Sequence, residues 1–164
     1  MLPDVLDRGL NLVVCGSAAG TRSALAGCYY AGPGNKFWRT LAQTRLTPNQ
    51  LAPAEFMRLL DFRIGLTDLV QGQAGADAVI RFHASERERL RRRILRCQPR
   101  YLCFNGKRAA QEYFRTRTVE FGPHCESIGT TRIFVAPSTS GAANRAWDVK
   151  HWHRLARLVA AHDQ

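Results

Sequence analysis

The chain has 164 residues, 45% hydrophobic and 23% charged, a balance that suits one globular domain and excludes a disordered or fibrous polypeptide. At this length roughly two-thirds of the unfolded surface can be buried, so stability requires neither a metal nor disulfides, and two full domains are not expected. Lys and Arg number 24 against 13 Asp and Glu, and the net charge of +11 favours a polyanionic partner such as nucleic acid, without excluding a basic enzyme whose charge is dispersed.

In chain order, Leu12-Val13-Val14-Cys15 is a short apolar run that breaks into Gly16-Ser17-Ala18-Ala19-Gly20, the pattern of a buried strand feeding a tight loop. A second loop, Ala31-Gly32-Pro33-Gly34-Asn35, precedes a helix over Lys36 to Thr44 with Phe37, Trp38 and Leu41 on one face and Asn35 at the N-cap. Pro53 opens a helix that buries Phe56, Leu59 and Leu60, and a short strand follows around Ile64 to Thr67, with Asp68 at its carboxyl end. Residues 71–79 read as a loop. Ser85 and Glu88 form a capping-box pattern for a helix to about Cys97, which carries Arg91, Arg92, Arg93 and Arg96; Glu88 can pair with Arg92, and the run reads first as a solvated face.

Tyr101 to Phe104 is a third strand, Gly106 to Arg115 a helix, and Ile133 to Ala136 a further strand with Pro137-Ser138-Thr139-Ser140-Gly141 as its exit loop. Asp148 caps a last helix that turns Val149, Trp152, Leu155, Ala156 and Val159 inward. Strands alternating with helices predict a three-layer α/β/α sandwich around a mostly parallel sheet, in a single domain over 1–164. Such sheets place ligands at the carboxyl ends of their strands, so the loops at 16–20, 68–71 and 137–145 are expected to share one rim and one cleft.

The five cysteines, Cys15, Cys28, Cys97, Cys103 and Cys125, are irregularly spaced with no Cys-x-x-Cys pair, and His151 and His153 point in different directions on a helix. The expectation is mostly buried thiols and no metal. No apolar run approaches ~20 residues and Met1-Leu2-Pro3-Asp4 lacks the features of a signal peptide, so a cytoplasmic protein without membrane attachment is expected.

Four segments in this order, Val14 to Gly20, Tyr29 to Trp38 with its Pro-x-Asn-x-Phe-Trp element, Gly65-Leu66-Thr67-Asp68-Leu69 and Pro137 to Gly141, resemble the mismatch-specific uracil/thymine DNA glycosylases of the uracil-DNA glycosylase superfamily. The resemblance implies that a deaminated or mispaired base (uracil, thymine opposite guanine, hypoxanthine or xanthine) is flipped from double-stranded DNA and its N-glycosidic bond hydrolysed, by a monomer without a cofactor. It further implies that Gly16 and Ser17 line the base pocket, that Tyr30 stacks on the base and that Ser138 lies near sugar and base. Ser140, Gly141, Ala142, Ala143, Asn144 and Arg145 correspond to the segment that enters the duplex. Ala142 and Ala143 stand where several members have a bulky wedge, which implies either weaker insertion or insertion by Asn144 or Arg145, with Arg145 equally a phosphate contact.

Ala18 departs from the family more seriously, because well-known members carry there an Asn that positions the attacking water. Asp68 is the first candidate to replace it and Asn35 the second; structural alternatives are a turn cap for Asp68 and a helix cap for Asn35. Lys36 is the only lysine in a motif loop, and it opens a helix, so hydrolysis without strand cleavage is expected. The competing reading is a relative that lost catalysis with that Asn and senses lesions by binding alone. An unrelated α/β enzyme that binds a phosphorylated ligand at Gly16 to Gly20 has least support, because the loop is neither a Gly-x-Gly-x-x-Gly nor a P-loop pattern.

Overall fold

The computed structural model of the protein describes residues 1–161. Five strands, β1 (Leu12–Gly16), β2 (Ile64–Asp68), β3 (Tyr101–Asn105), β4 (Gly122–Ile128) and β5 (Thr131–Ala136), form one sheet in the order β2-β1-β3-β5-β4. The first three and β5 run parallel, and β4 returns antiparallel beside β5. Because β1, β2 and β3 are covered on both faces, their residues are apolar without alternation, as the sequence runs at 12–15, 64–67 and 101–104 predicted.

Alternate residues serve two cores. Leu12, Val14, Leu66, Cys103 and Phe134 pack on one face against helix α2 (Phe37–Gln43) and helix α5 (Val149–Ala161) through Phe37, Trp38, Leu41, Trp152 and Leu155. Val13, Cys15, Leu102, Phe104, Ile133 and Val135 pack on the other against α3 (Ala84–Cys97) and α4 (Lys107–Phe114) through Leu90, Ile94, Ala109 and Tyr113. This is the expected three-layer α/β/α arrangement. Fully buried Trp152 donates its indole N–H to the Pro137 carbonyl (3.0 Å), so a core residue also fixes the exit of β5; truncating it to Ala is expected to cost about 3–5 kcal/mol.

Several local expectations are corrected. Between the first two loops lies a short helix, α1 (Thr21–Ala26), whose polar sequence buries only Ser23 and so carries no apolar period. The segment Pro53–Phe62 forms 3-10 turns rather than an α-helix, with Phe56 and Leu59 buried and Leu60 half-buried. α2 starts at Phe37, and Asn35 caps it from two residues upstream by accepting the Phe37 N–H (3.0 Å). α3 starts at Ala84 with His83 at the N-cap, so Ser85 and Glu88 are within the helix and form no capping box, and Glu88 pairs with Arg87 (3.4 Å) rather than Arg92. β4 was absent from the sequence reading: an edge strand that reads Gly-Pro-His-Cys-Glu-Ser-Ile and is mostly exposed gives little hydrophobic signal.

Of the cysteines, Cys15, Cys97 and Cys103 are buried, Cys28 is half-buried and Cys125 exposed, all as free thiols. Among the described residues no helix is long and apolar enough to cross a membrane, and no group of three His, Cys, Asp or Glu is gathered to hold a metal.

Candidate active site

The parallel register puts Gly16 directly beside Asp68 at the carboxyl ends of β1 and β2. Pairing continues past the strands, since Leu69 N–H donates to the Gly16 carbonyl and Val70 N–H to that of Ser17, both at 2.8 Å, so the two exits leave the sheet together. At the other side, Asn105 at the end of β3 bonds Thr139 twice, accepting its N–H and donating to its hydroxyl, each at 3.0 Å. These exits enclose one cleft of about 810 Å³, lined by Gly16, Ser17, Ala18, Tyr30, Asn35, Asp68, Asn105, Ser138 and residues 139–143. The convergence expected from a parallel sheet is therefore present.

Gly16 has a reason to lack a side chain. A Cβ there would stand 2.8 Å from Asp68 Oδ1 and 3.3 Å from the Tyr30 hydroxyl, so any larger residue displaces the carboxylate or the ring. Tyr30 adopts a left-handed backbone conformation (φ 52°), which is costly for a bulky residue and is the kind of strain retained at sites of function. The turn is held by the Ala31 N–H donating to Ser23 Oγ (3.0 Å), and the Tyr30 ring packs on Phe37 with centroids 4.1 Å apart. Its hydroxyl is buried, and burial together with the Asp68 charge, only partly offset by Asn105, holds the phenol well above its ordinary range, hence protonated.

Asp68 is only 6% exposed. Burial, reinforced by the neighbouring Asp4 charge and partly offset by Arg93, pushes its carboxyl up to about 7, whereas an ordinary aspartate is fully ionised well below neutrality. Desolvation thus makes Asp68 a group that titrates near neutral pH. Asp68 also faces a smaller pocket of about 80 Å³, walled by Gln71 and Gln73 and roomy enough for water.

The other candidates divide. Ser17 lines the cleft and donates its hydroxyl to Asp77 Oδ1 (2.5 Å). Ser138 Oγ accepts the Ser140 N–H (3.2 Å), a local bond within the exit loop, and the hydroxyl hydrogen remains for another acceptor. Ser140, Gly141, Ala142 and Ala143 reach the cleft, and Gly141 meets Gly34 so closely that a Cβ would come within 3.1 Å of its carbonyl oxygen. Asn144 and Arg145 do not line it. Asn144 accepts a hydrogen bond from the Lys36 ammonium, which also approaches the Ser140 carbonyl (3.5 Å) and the face of Trp147 (5.1 Å), while Arg145 is exposed. Lys36 is 8% exposed, and burial and then Arg39 lower its pKa, yet its amine is committed to this staple and is not part of the cleft wall.

Two participants escaped the sequence reading. Asn105 follows the same strand-end logic as Asp68 and was discoverable by it. Arg93 was hidden in an arginine run, but it borders the stripe of Leu90, Ile94 and Cys97, and its side chain is 10% exposed. The run is not one solvated face: Arg87 and Arg91 reach Tyr113 of α4, Arg93 reaches β2, and Arg89, Arg92 and Arg96 remain exposed.

Comparison with known proteins agrees with this architecture. A solution NMR structure described as a "putative Uracil DNA glycosylase" from Methanosarcina acetivorans is similar over 97% of this chain and 96% of that one, with 24% identity and a TM-score of 0.63, a likeness of fold. The family model of the Uracil DNA glycosylase superfamily matches residues 3–158, and the chain therefore belongs to that superfamily.

Proposed function

We propose that this protein, as one domain over 1–164, is a monofunctional DNA glycosylase of the mismatch-specific uracil/thymine type, which flips a deaminated or mispaired base into the cleft and hydrolyses its bond to the sugar. The observation that carries the proposal is the desolvated Asp68 carboxyl on the cleft wall, abutting Gly16 where the strand exits meet. Ionised Asp68 orients a water against C1′ and stabilises the positive charge that develops on the sugar as the glycosidic bond breaks. The bonding electrons leave with the base, the water oxygen bonds C1′, and the water's proton passes toward Asp68. Tyr30 supplies a stacking face, and Gly16 and Ser17 present backbone to the base; Ser138 lines the same cleft.

The commitment of Lys36 to Asn144 and Ser140 supports hydrolysis over amine-mediated strand cleavage. Asn35 is the weaker catalytic candidate, because its carbonyl oxygen already caps α2, although its amide group faces the same cleft. Residues 140–143 approach the duplex, and the +11 charge attracts it without reading sequence.

Base release from duplexes carrying uracil, thymine or hypoxanthine opposite guanine, and from single-stranded uracil, tests the proposal with Asp68→Asn and Asn35→Ala beside the wild type. Release by the wild type that is lost in Asp68→Asn supports it. Loss in Asn35→Ala alone moves the water-orienting role to Asn35, and tight binding without release from any substrate selects the lesion-sensing alternative that Ala18 raises.

A further inference from the structure

Beneath the cleft, on the side of the sheet covered by α3, the end of β2 is tied down by charged and polar groups. Arg93 sends one guanidinium nitrogen to Thr67 Oγ1 (2.9 Å) and the other to the backbone carbonyl of Asp68 (3.0 Å). The Thr67 hydroxyl in turn donates to Asp4 Oδ1 (2.7 Å), which also accepts from Gln71 Nε2 (2.7 Å) and lies 3.6 Å from the guanidinium. Three segments that are remote in sequence meet here: the N-terminal stretch with Asp4, β2 with the loop after it, and α3.

As a device for stability this arrangement is poor. A buried guanidinium loses its hydration, and the Nε of Arg93 is buried without any partner to compensate, whereas an apolar side chain bordering the Leu90–Ile94–Cys97 stripe would simply extend the core. What the arginine does that an apolar residue cannot is hold the backbone at Asp68 and set a positive charge against Asp4. We propose that Arg93 is the positioning residue for Asp68: its two-pronged grip on Thr67 and on the Asp68 carbonyl fixes where the carboxylate stands, and its charge offsets that of Asp4. The inference rests on the glycosylase reading of Asp68 for its catalytic meaning, but not for its physical content.

The titratable groups that face the Asp68 carboxyl are Asp4 from the N-terminal segment, Arg93 from α3, Cys15 on β1, and Tyr29 and Tyr30 from the turn after α1. Burial keeps the thiol and the phenols protonated, so only Asp4 and Arg93 act on Asp68 as full charges near neutrality, and they act with opposite signs. Removing the guanidinium should make Asp68 hold its proton to higher pH, and removing the Asp4 charge should make it release the proton at lower pH.

The test is a ¹³C-carboxyl NMR titration of Asp68 in the full chain, for the wild type, Arg93→Met, Arg93→Lys and Asp4→Asn, paired with single-turnover base release from a uracil·guanine duplex over the same pH range. The midpoint should rise by roughly one pH unit in Arg93→Met and fall in Asp4→Asn. Arg93→Lys, which keeps the charge and loses the fork, should leave the midpoint near the wild-type value but slow release severalfold. Midpoints that stay put in both charge variants, or move the same way, overturn the proposal; so does a rate in Arg93→Lys equal to wild type. Should Arg93→Met fail to fold, Asp4→Asn and Arg93→Lys carry the test. Opposed midpoint shifts in the two charge variants, with a wild type that releases no base, would uphold the charge relation between Arg93 and Asp68 and refute the glycosylase reading.

Discussion

The ends of β2 and β5 face the same cleft but are held by different means. Asp68 sits almost wholly buried at the end of β2, its carbonyl gripped by Arg93 and its carboxyl desolvated to a near-neutral pKa. The β5 exit is fixed by Trp152, Asn105 and the Lys36–Asn144 bond, yet from Gly141 to Ala146 four of its six residues are Gly or Ala and all but Ala143 are exposed. The contrast separates roles by physics: a buried carboxylate costs folding energy and is retained where its charge is used, and an exposed loop of small residues costs little and can meet a large partner. Changes at β2 should therefore appear in the rate of base release, and changes at the β5 exit in DNA affinity.

The largest expected effect is Asp68→Asn, which should slow base release on the order of a hundredfold or more while leaving DNA binding nearly intact. Gly16→Ala is the sharper probe, since the new methyl would stand 2.8 Å from Asp68 Oδ1 and displace the carboxylate with no change of chemistry; a loss of about a hundredfold in single-turnover rate is expected. The pH dependence follows with a definite sign. Asp68 orients water only when ionised, so release should rise with pH through about 7 and level off above it.

Stability should move the other way. The folded carboxyl keeps its proton up to about 7 while the unfolded one loses it near its ordinary value of 3.8, so the folded state binds the extra proton between them. Stability from this group therefore falls as pH rises through that window and stays low above it. The full difference is on the order of 4 kcal/mol, and Asp68→Asn should accordingly raise the Tm at pH 8 but hardly at pH 4, in a melt followed by circular dichroism.

At the β5 exit the effects are smaller. Lys36→Met removes a charge-assisted bond to Asn144 and should cost about 1.5–3 kcal/mol of stability, with DNA affinity reduced and the rate from saturated complex little changed. Arg145→Ala, the smallest, should weaken binding to every sequence alike and lower the slope of log affinity against log salt by about 0.9, a fluorescence-anisotropy measurement. A rate defect in either variant as large as that of Gly16→Ala would break the division between the two regions.

Much of this was legible because parallel sheets write themselves into sequence as short apolar runs that end in polar or glycine residues. Gly16 and Asp68 were readable as strand ends, and parallel pairing then requires the two exits to leave on the same rim. What escaped had no such mark. β4 is an exposed edge, α1 buries only Ser23, and the cap of α3 is His83, which no capping pattern would select. The near-neutral carboxyl was illegible for a different reason: the charge state of Asp68 depends on burial and on Asp4 and Arg93, which lie 64 and 25 residues away along the chain and meet it only in the fold. Arg93 itself carried a signal in its position beside the Leu90–Ile94–Cys97 stripe, masked by the arginines on either side.

A buried, ionised Asp68 as the driver of base release is tested by single-turnover release of uracil from a uracil·guanine duplex by wild type and Asp68→Asn between pH 5.5 and 9, with binding to the same duplex measured alongside. The account predicts a wild-type rate that rises to a plateau with a midpoint near 7 and a variant that binds as well but is slow and flat across the range. A variant as fast as the wild type, or a wild-type rate indifferent to pH, would contradict it.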